Sequence, residues 1–396
     1  MLTGCSRLEQ PQGQAIVCKA VAQAQALAPT KSSSLSQTEG QLQTKGAGVT
    51  NASALQAEGI GLFAWRTTEG TPFDGTTPYL QNSSFAYDNG LDLWKGGVYW
   101  PFGYWLSFFA YSPYNANVTT GNLQFPSSDY VTGYPRLQYT PEDLAEDQVD
   151  LCLATPVMDR SVTVNNGVVP LSFSHVLTRL CIQACWNGNS AQVDAFTDAG
   201  QTIRVQSIVL RNVSVTNKLT YGAASFLWDT PAAFDGSYTM SVSNGSFRSV
   251  DLPATAGTFS SSFWNIADAC LYVLPQSLSA SSEMEVVFGI YSSGGSLISQ
   301  ETVTFDIGGL AQHVWPAGME MTYSVTLDLT GHYAVEADVT FDCNAGAFVA
   351  PGSMWYDSTQ AGSFLGGNFL PAASQAGTFG SVGAVASGST AGSFIE

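Results

Sequence analysis

From Tyr333 to Cys343, Tyr333, Val335, Ala337, Val339, Phe341 and Cys343 alternate with Glu336, Asp338, Thr340 and Asp342. A period of two sustained over such a length predicts an extended strand with one buried and one wet face. No stretch of the chain holds a helical period as clearly. Shorter apolar runs bounded by turn residues recur along the sequence. They predict strands at Ile60 to Trp65, within the aromatic block Val98 to Pro113, and at Val149 to Ala154. Further strands are predicted at Val168 to Phe173, Leu180 to Trp186, Ile203 to Val215, Leu271 to Pro275, Met284 to Tyr291, Thr302 to Ile307 and Met321 to Leu329. Many short strands at this spacing predict an all-β protein of sandwich type. Thr140-Pro141-Glu142-Asp143 supplies a cap, a proline at the first helical position and acids in the first turn, and predicts a helix of two or three turns.

The same pattern divides the chain. From Val21 to Gly59 there is no Phe, Tyr or Trp, and Lys31 and Lys45 are the only basic residues, a composition that predicts a linker. Exposed linker tips of this kind are favoured protease sites, which makes Lys31 and Lys45 candidate cleavage points. The turn at Asn165-Asn166-Gly167 separates two series of strands. The expected division is therefore residues 1–58 as a lipobox remnant, a linker and a possible removable first strand, 59–162 and 163–345 as two β-sandwich domains, and 346–396 as a Gly/Ser-rich tail.

Composition narrows the function. Hydrophobic residues make up 45% of the chain and aromatic residues 12%, ample for two cores, whereas charged residues reach only 11%. Uncharged polar side chains must then cover most of the surface, as in extracellular β-proteins. A net charge of −18 repels phosphate backbones, so nucleic acid is excluded as a partner. No apolar run is long enough to span a bilayer as a helix. Leu2-Thr3-Gly4-Cys5 has the form of a lipobox, which marks Cys5 for lipidation and predicts a tether to a membrane. The seven cysteines, at 5, 18, 152, 181, 185, 270 and 343, show no CxxC spacing. They predict neither a zinc site nor a disulfide framework and read mostly as small buried hydrophobes.

Catalytic chemistry finds little support. His175 closes a strand and reads as a satisfied structural histidine rather than a base or metal ligand, while His313 and His332 lie beside turns. Glu142, Asp143, Glu146 and Asp147 could supply paired carboxylates for glycoside hydrolysis, but helical spacing puts them on an exposed face. No nucleophile elbow, phosphate loop or dinucleotide fingerprint is present. The expectation is a protein without catalytic residues, metal or cofactor. Trp94, Trp100 and Trp105 could form a platform that stacks on glycans; the alternation around them favours a buried layer instead.

Several segments together resemble the fimbrillin family, the pilin and pilus-associated lipoproteins of gut and oral Bacteroidales. They are Ile60-Gly-Leu-Phe-Ala-Trp65, Trp100-Pro101 with Leu106-Ser-Phe-Phe-Ala-Tyr-Ser-Pro113, Asp150-Leu-Cys-Leu-Ala154 with Val169-Pro-Leu-Ser-Phe-Ser-His-Val-Leu-Thr-Arg-Leu180, Leu274-Pro-Gln276, and Trp315-Pro-Ala-Gly-Met-Glu-Met-Thr-Tyr-Ser-Val-Thr-Leu327. Each is only a string of apolar and turn residues; their common order carries the resemblance. It implies two transthyretin-like sandwiches in tandem, export as a lipoprotein, and a structural role in a surface pilus that supports adhesion to a host or bacterial receptor. It also implies assembly with other pilus subunits by donor-strand exchange: a protease cut after a basic residue, at Lys31 or Lys45 with Arg66 conceivable, removes the first strand. A donor segment from the next subunit, expected in the tail from 346 to 396 rather than at Tyr333 to Cys343, then fills the groove. The alternative is a monomeric surface lipoprotein that binds glycans through the aromatic block.

Overall fold

The computed structural model describes residues 13–20, 52–130, 133–142, 147–241, 250–260, 271–329, 333–340 and 384–385. These residues are mostly β, as the alternation predicts. The first half contributes β1 (Ala15–Ala20), α1 (Ala52–Glu58), β2 (Ile60–Thr68), β3 (Pro78–Asp88), β4 (Leu93–Tyr99), β5 (Tyr104–Ser112), β6 (Leu123–Gln124), β7 (Arg136–Tyr139), β8 (Cys152–Ala154), β9 (Val157–Arg160), β10 (Val168–Leu171) and β11 (Phe173–His175). Most of them join one sheet in the order β10-β1-β4-β3-β2-β5-β8-β11, with β9 beside β5. Its terminal strands, β10 and β11, are consecutive in the chain, so the sheet rolls back upon itself. The bend lies in β3, which pairs with β2 up to Phe85 and with β4 from Ala86 onward. Gly96 makes that bend possible, because a Cβ there would lie 2.6 Å from the Phe85 ring. Ile60, Leu62, Ala64, Phe85, Leu106, Phe108 and Ala110 are all fully buried in this first core.

The second half adds β12 (Thr178–Asn187), α2 (Ser190–Asp198), β13 (Thr202–Val213), β14 (Asn217–Tyr221), β15 (Phe226–Trp228), β16 (Gly236–Ser241), β17 (Val250–Asp251), β18 (Leu271–Val273), β19 (Gln276–Ser277), β20 (Glu283–Tyr291), β21 (Leu297–Asp306), β22 (Val314–Trp315), β23 (Glu320–Asp328), β24 (Tyr333–Thr340) and β25 (Ala384–Val385). Two sheets, β16-β13-β20-β21 and β18-β12-β23-β24-β25, supply the second core. On β23 the alternation is strict: Met321, Tyr323, Val325 and Leu327 are buried and the residues between them are half-exposed. The register sets Val339, Ala337, Val335 and Tyr333 of β24 opposite those four. The predicted strand is thus present through Thr340, and Phe341 to Cys343 lie outside the described residues.

One hairpin crosses back. β14 pairs with β7, and the sheet β15-β14-β7-β6 packs on the first core rather than the second. The Tyr221 ring sits 5.3 Å from Phe109, and its hydroxyl donates to the Ala110 carbonyl at 3.0 Å. The Trp228 indole likewise donates to the Val176 carbonyl at 2.8 Å.

Two expectations are corrected. Thr140, Pro141 and Glu142 are irregular rather than helical, and Asp143 to Glu146 lie outside the described residues. The better start belongs to α2, where the Asn189 side chain accepts from the Gln192 amide and the Gln192 side chain accepts from the Asn189 amide. Phe196 anchors that helix on Trp186 at 4.8 Å. Cys181 is also not a free hydrophobe: it is disulfide-bonded, with Cys18, Cys152 and Cys185 free and its partner outside the described residues. Strand spacing does exclude a bridge between Cys181 and Cys185, but says nothing about bridges to distant segments.

Candidate functional site: the strand that closes the first sheet

A first strand is expected somewhere within residues 1–58; β1 stands at Ala15–Ala20, a place that no alternation in the sequence marks. It runs antiparallel to β4, with Ala15 opposite Tyr99 and Cys18 opposite Trp94. Along its other edge it runs parallel to β10, from Val17 opposite Val168 to Ala20 opposite Leu171. No other described strand joins β4 to β10, so β1 alone completes the roll on that side. Alternation fixes its faces: Ile16 and Cys18 are fully buried, while Ala15 and Lys19 are exposed. Burial pushes the Cys18 thiol far above its ordinary range. Pro170, which has no amide hydrogen to give, sits on β10 at the end of the sheet, where proline is tolerated.

The entrance of β1 is tied to its neighbours by polar contacts. The Trp100 amide donates to the Gln14 carbonyl at 2.9 Å, and the Gln14 side chain donates to the Asn166 carbonyl. Trp100 also donates through its indole to the Gly167 carbonyl at 3.1 Å. Asn165, Asn166 and Gly167 all have positive φ, which the Asn-Asn-Gly sequence permits with little strain. At the exit, Lys19 meets Asp92 at 3.0 Å on the surface, a contact worth little in water.

The predicted site residues fall as follows. Cys5, Lys31 and Lys45 lie outside the described residues, as does all of the tail except Ala384 and Val385, which pair with β24. Trp94 and Trp100 are 2% and 7% exposed, so protein atoms already cover their rings, and Trp105 is half-buried. They share no open face. Glu142 is exposed, and Asp147 is half-buried.

His175 belongs to a polar cluster that the sequence conceals. It stands directly opposite Cys152 across β11 and β8, and Asp150 lies two residues before Cys152 on the same face. The His175 ring and Asp150 carboxylate are hydrogen-bonded at 2.7 Å through Nδ1, and the Cys152 sulfur is 3.9 Å from the same nitrogen. Among the described residues this is the set whose donor atoms converge closely enough to hold a metal ion. The direct Asp–His bond and a thiol pushed well above its ordinary value by burial favour a closed hydrogen-bonded network instead. Burial first, and then the Arg179 charge, hold His175 well below its ordinary value of 6.5. The unfolded chain therefore takes up a proton near pH 6.5 that the folded chain refuses, and stability falls as the pH drops below that point. Unfolding free energies from urea titrations at pH 7.5 and 5.5 are expected to differ by about 1 kcal/mol, with His175→Gln flattening the difference.

The cluster continues into the second core. Arg179, on β12, meets Glu320 of β23 at 2.5 Å, and these two residues also stand in register. Gln148 accepts from the Tyr272 amide at 2.6 Å and donates to the Glu142 carbonyl at 2.8 Å. Tyr272 packs in the first core while its β18 neighbours Leu271 and Val273 pack in the second.

Comparison with known proteins bears on these features. The family model described as "Fimbrillin-like" matches residues 48–343. Fimbrium subunit Fim1C of Phocaeicola vulgatus is 26% identical over 151 residues, a match covering 35% of this chain and 40% of that protein. Among solved structures, a candidate cell adhesion protein from Bacteroides uniformis overlaps with a TM-score of 0.40 at 19% identity, covering 72% of this chain and 91% of that one. The fimbrial anchor protein Mfa2 of Porphyromonas gingivalis overlaps at 0.27 and 9% identity, covering 83% and 97%. The family-model match spans most of the chain, whereas the chain spans less than half the length of the curated relative it matches. This chain belongs to the fimbrillin-like family.

Proposed function

We propose that this chain is a fimbrial subunit that polymerises by donor-strand exchange, with β1 as the strand removed. The supporting observation is that β1 completes the first sheet by pairing on both edges, yet is joined to the remainder only through residues 21–51, which contain Lys31 and Lys45. Cleavage at either lysine would break the main-chain tie between residues 13–20 and β2. The vacated gap would then present two unpaired strand edges above buried apolar residues, the chemistry that β-augmentation satisfies.

In this reading Cys5 carries the lipid that delivers the precursor to the outer membrane, and the donor is the tail from 346 to 396 of another subunit. The two cores represent two sandwich domains of the transthyretin-like kind, divided near residues 162 and 163, with β10, β11 and the β14–β15 hairpin reaching back into the first core. Adhesion would follow from the assembled polymer and its partners on host or bacterial surfaces. A monomeric glycan-binding lipoprotein working through Trp94, Trp100 and Trp105 gains no support from Trp94 and Trp100, whose rings protein atoms already cover. Amino-terminal sequencing of the mature surface form, together with electron microscopy of protease-treated protein, tests the reading. A mature form that retains β1 within filaments would remove it.

A further inference from the structure

Among the described residues, seven of the nine lysines and arginines are ion-paired. Lys19, Lys95, Arg136, Arg179, Arg204, Arg211 and Lys218 each lie against an aspartate or glutamate. Arg66 and Arg160 are the other basic residues among those described, and neither has an acidic partner there. With 31 acidic residues against 13 basic ones, two arginines without a carboxylate run against the balance of the molecule.

Those two arginines are neighbours in the fold. Leu106 of β5 is paired with Arg66 of β2 on one side and with Arg160 of β9 on the other. Residues directly opposite in an antiparallel ladder share a face, so both side chains leave the sheet on the side of Leu106. Adjacent strands are roughly 4.8 Å apart, which sets the two arginine backbones about 10 Å from each other, within reach of one small anion. The Nε of each is buried without a hydrogen-bond partner, although each residue remains half-exposed. Protein covers both Nε atoms, so a ligand meets the terminal guanidinium nitrogens of these two half-exposed residues, which match a carboxylate. The nearest acid in sequence, Asp159, is engaged elsewhere: it accepts from the Ser107 hydroxyl at 3.3 Å, and Ser107 points to the opposite face of β5 from Leu106.

Aromatic surface adjoins the pair. The Arg66 guanidinium lies 4.8 Å from the centre of the Tyr104 ring, which stiffens it. On the turn leading into Tyr104, Phe102 is 100% exposed and Tyr99 is 47% exposed. The Glu69 amide donates to the Gly103 carbonyl at 3.2 Å, which holds this turn against the end of β2.

We propose that Arg66 and Arg160 form an anion site for a carboxylate-bearing sugar, with Phe102 stacking on the sugar ring. A planar fork matches a carboxylate in a bidentate way, and an exposed ring beside it offers the apolar face that a pyranose covers. The site belongs to the single chain and does not depend on polymerisation.

The test is titration of the full chain with 3′-sialyllactose and with a glucuronate-containing disaccharide, lactose serving as the neutral control, followed by ligand-observed NMR or calorimetry. Saturable binding of at least one acidic sugar is expected, with lactose inert. R66Q and R160Q are each expected to weaken binding tenfold or more, and F102A, at a fully exposed position where folding is not at risk, several-fold. Thermal unfolding of each variant separates lost affinity from lost fold, and R66K, which keeps the charge but not the fork, is expected to bind more weakly than the parent. The proposal is overturned if neither acidic sugar binds at 10 mM or so, if lactose binds equally, or if F102A and folded R66Q bind as the parent does. Binding confined to a poly-glutamate peptide overturns it as well.

Discussion

Limited trypsin treatment is expected to convert this protein from a monomer into filaments, with loss of residues through Lys31 or Lys45 and with β1 among the released peptides. The energetics favour release once the linker is cut. Ordering the six residues of β1 costs about 6–12 kcal/mol in backbone entropy. Burying Ile16 and Cys18 returns roughly 3–5 kcal/mol, and hydrogen bonds along both edges add on the order of 6 kcal/mol at about 1 kcal/mol each. The terms nearly cancel. β1 is thus held mainly because the linker keeps its local concentration high, and cutting the linker removes that advantage. A longer donor burying more side chains would displace it and stay. Lys31→Ala combined with Lys45→Ala should leave the protein monomeric after the same treatment, and a chain ending near Ala350 should be cut but fail to polymerise. Arg66 should survive, because it lies inside β2 between two paired neighbours. Filaments from the double lysine variant would place the cut elsewhere. A truncated chain that still polymerises would exclude the tail as donor.

Arg179→Leu is expected to lower stability by about 3 kcal/mol, seen as a drop in the urea midpoint. The loss follows from what is stranded: Glu320 keeps its carboxylate with only about a fifth of its side chain exposed, beside a half-empty site. That residual exposure puts the expected loss at the lower end for a buried pair. Replacing both partners, Arg179→Leu with Glu320→Leu, should recover most of it, since an apolar pair of similar volume needs no compensation. If the double variant is as unstable as the single, the ion pair is not the source. The same pair links strands that leave the polar cluster around His175 for the second core, so Arg179→Leu should also loosen the junction and admit protease between the cores.

The strongly alternating strands were legible before any coordinates. β12, β13, β20 and β23 each lie within a few residues of the apolar runs that announce them, because a half-buried strand must alternate. β1 escaped notice for a physical reason. From Ala15 to Lys19 two side chains, Ile16 and Cys18, are buried, and the strand character comes from edges supplied by β4 and β10, some 80 and 150 residues further along. The return of β14 and β15 to the first core was hidden likewise, since alternation says that a strand exists and not which sheet receives it. Asp150 and Cys152 could be placed on one face by counting, but their meeting with His175 depends on register. Arg66 and Arg160 were beyond sequence reasoning altogether: lacking a partner is a property of space. Asn189 with Gln192, by contrast, carried a readable helix signal that the stronger-looking Thr140-Pro141 obscured.

In the proposed exchange of β1, its mixed surroundings bear on filament polarity. One flank of the vacant slot runs up and the other down, so an incoming segment meets one parallel and one antiparallel partner whichever way it enters. Backbone pairing therefore cannot by itself orient successive subunits. Directionality has to come from the depressions left by Ile16 and Cys18, which a reversed or one-residue-slipped segment would fill with the wrong side chains.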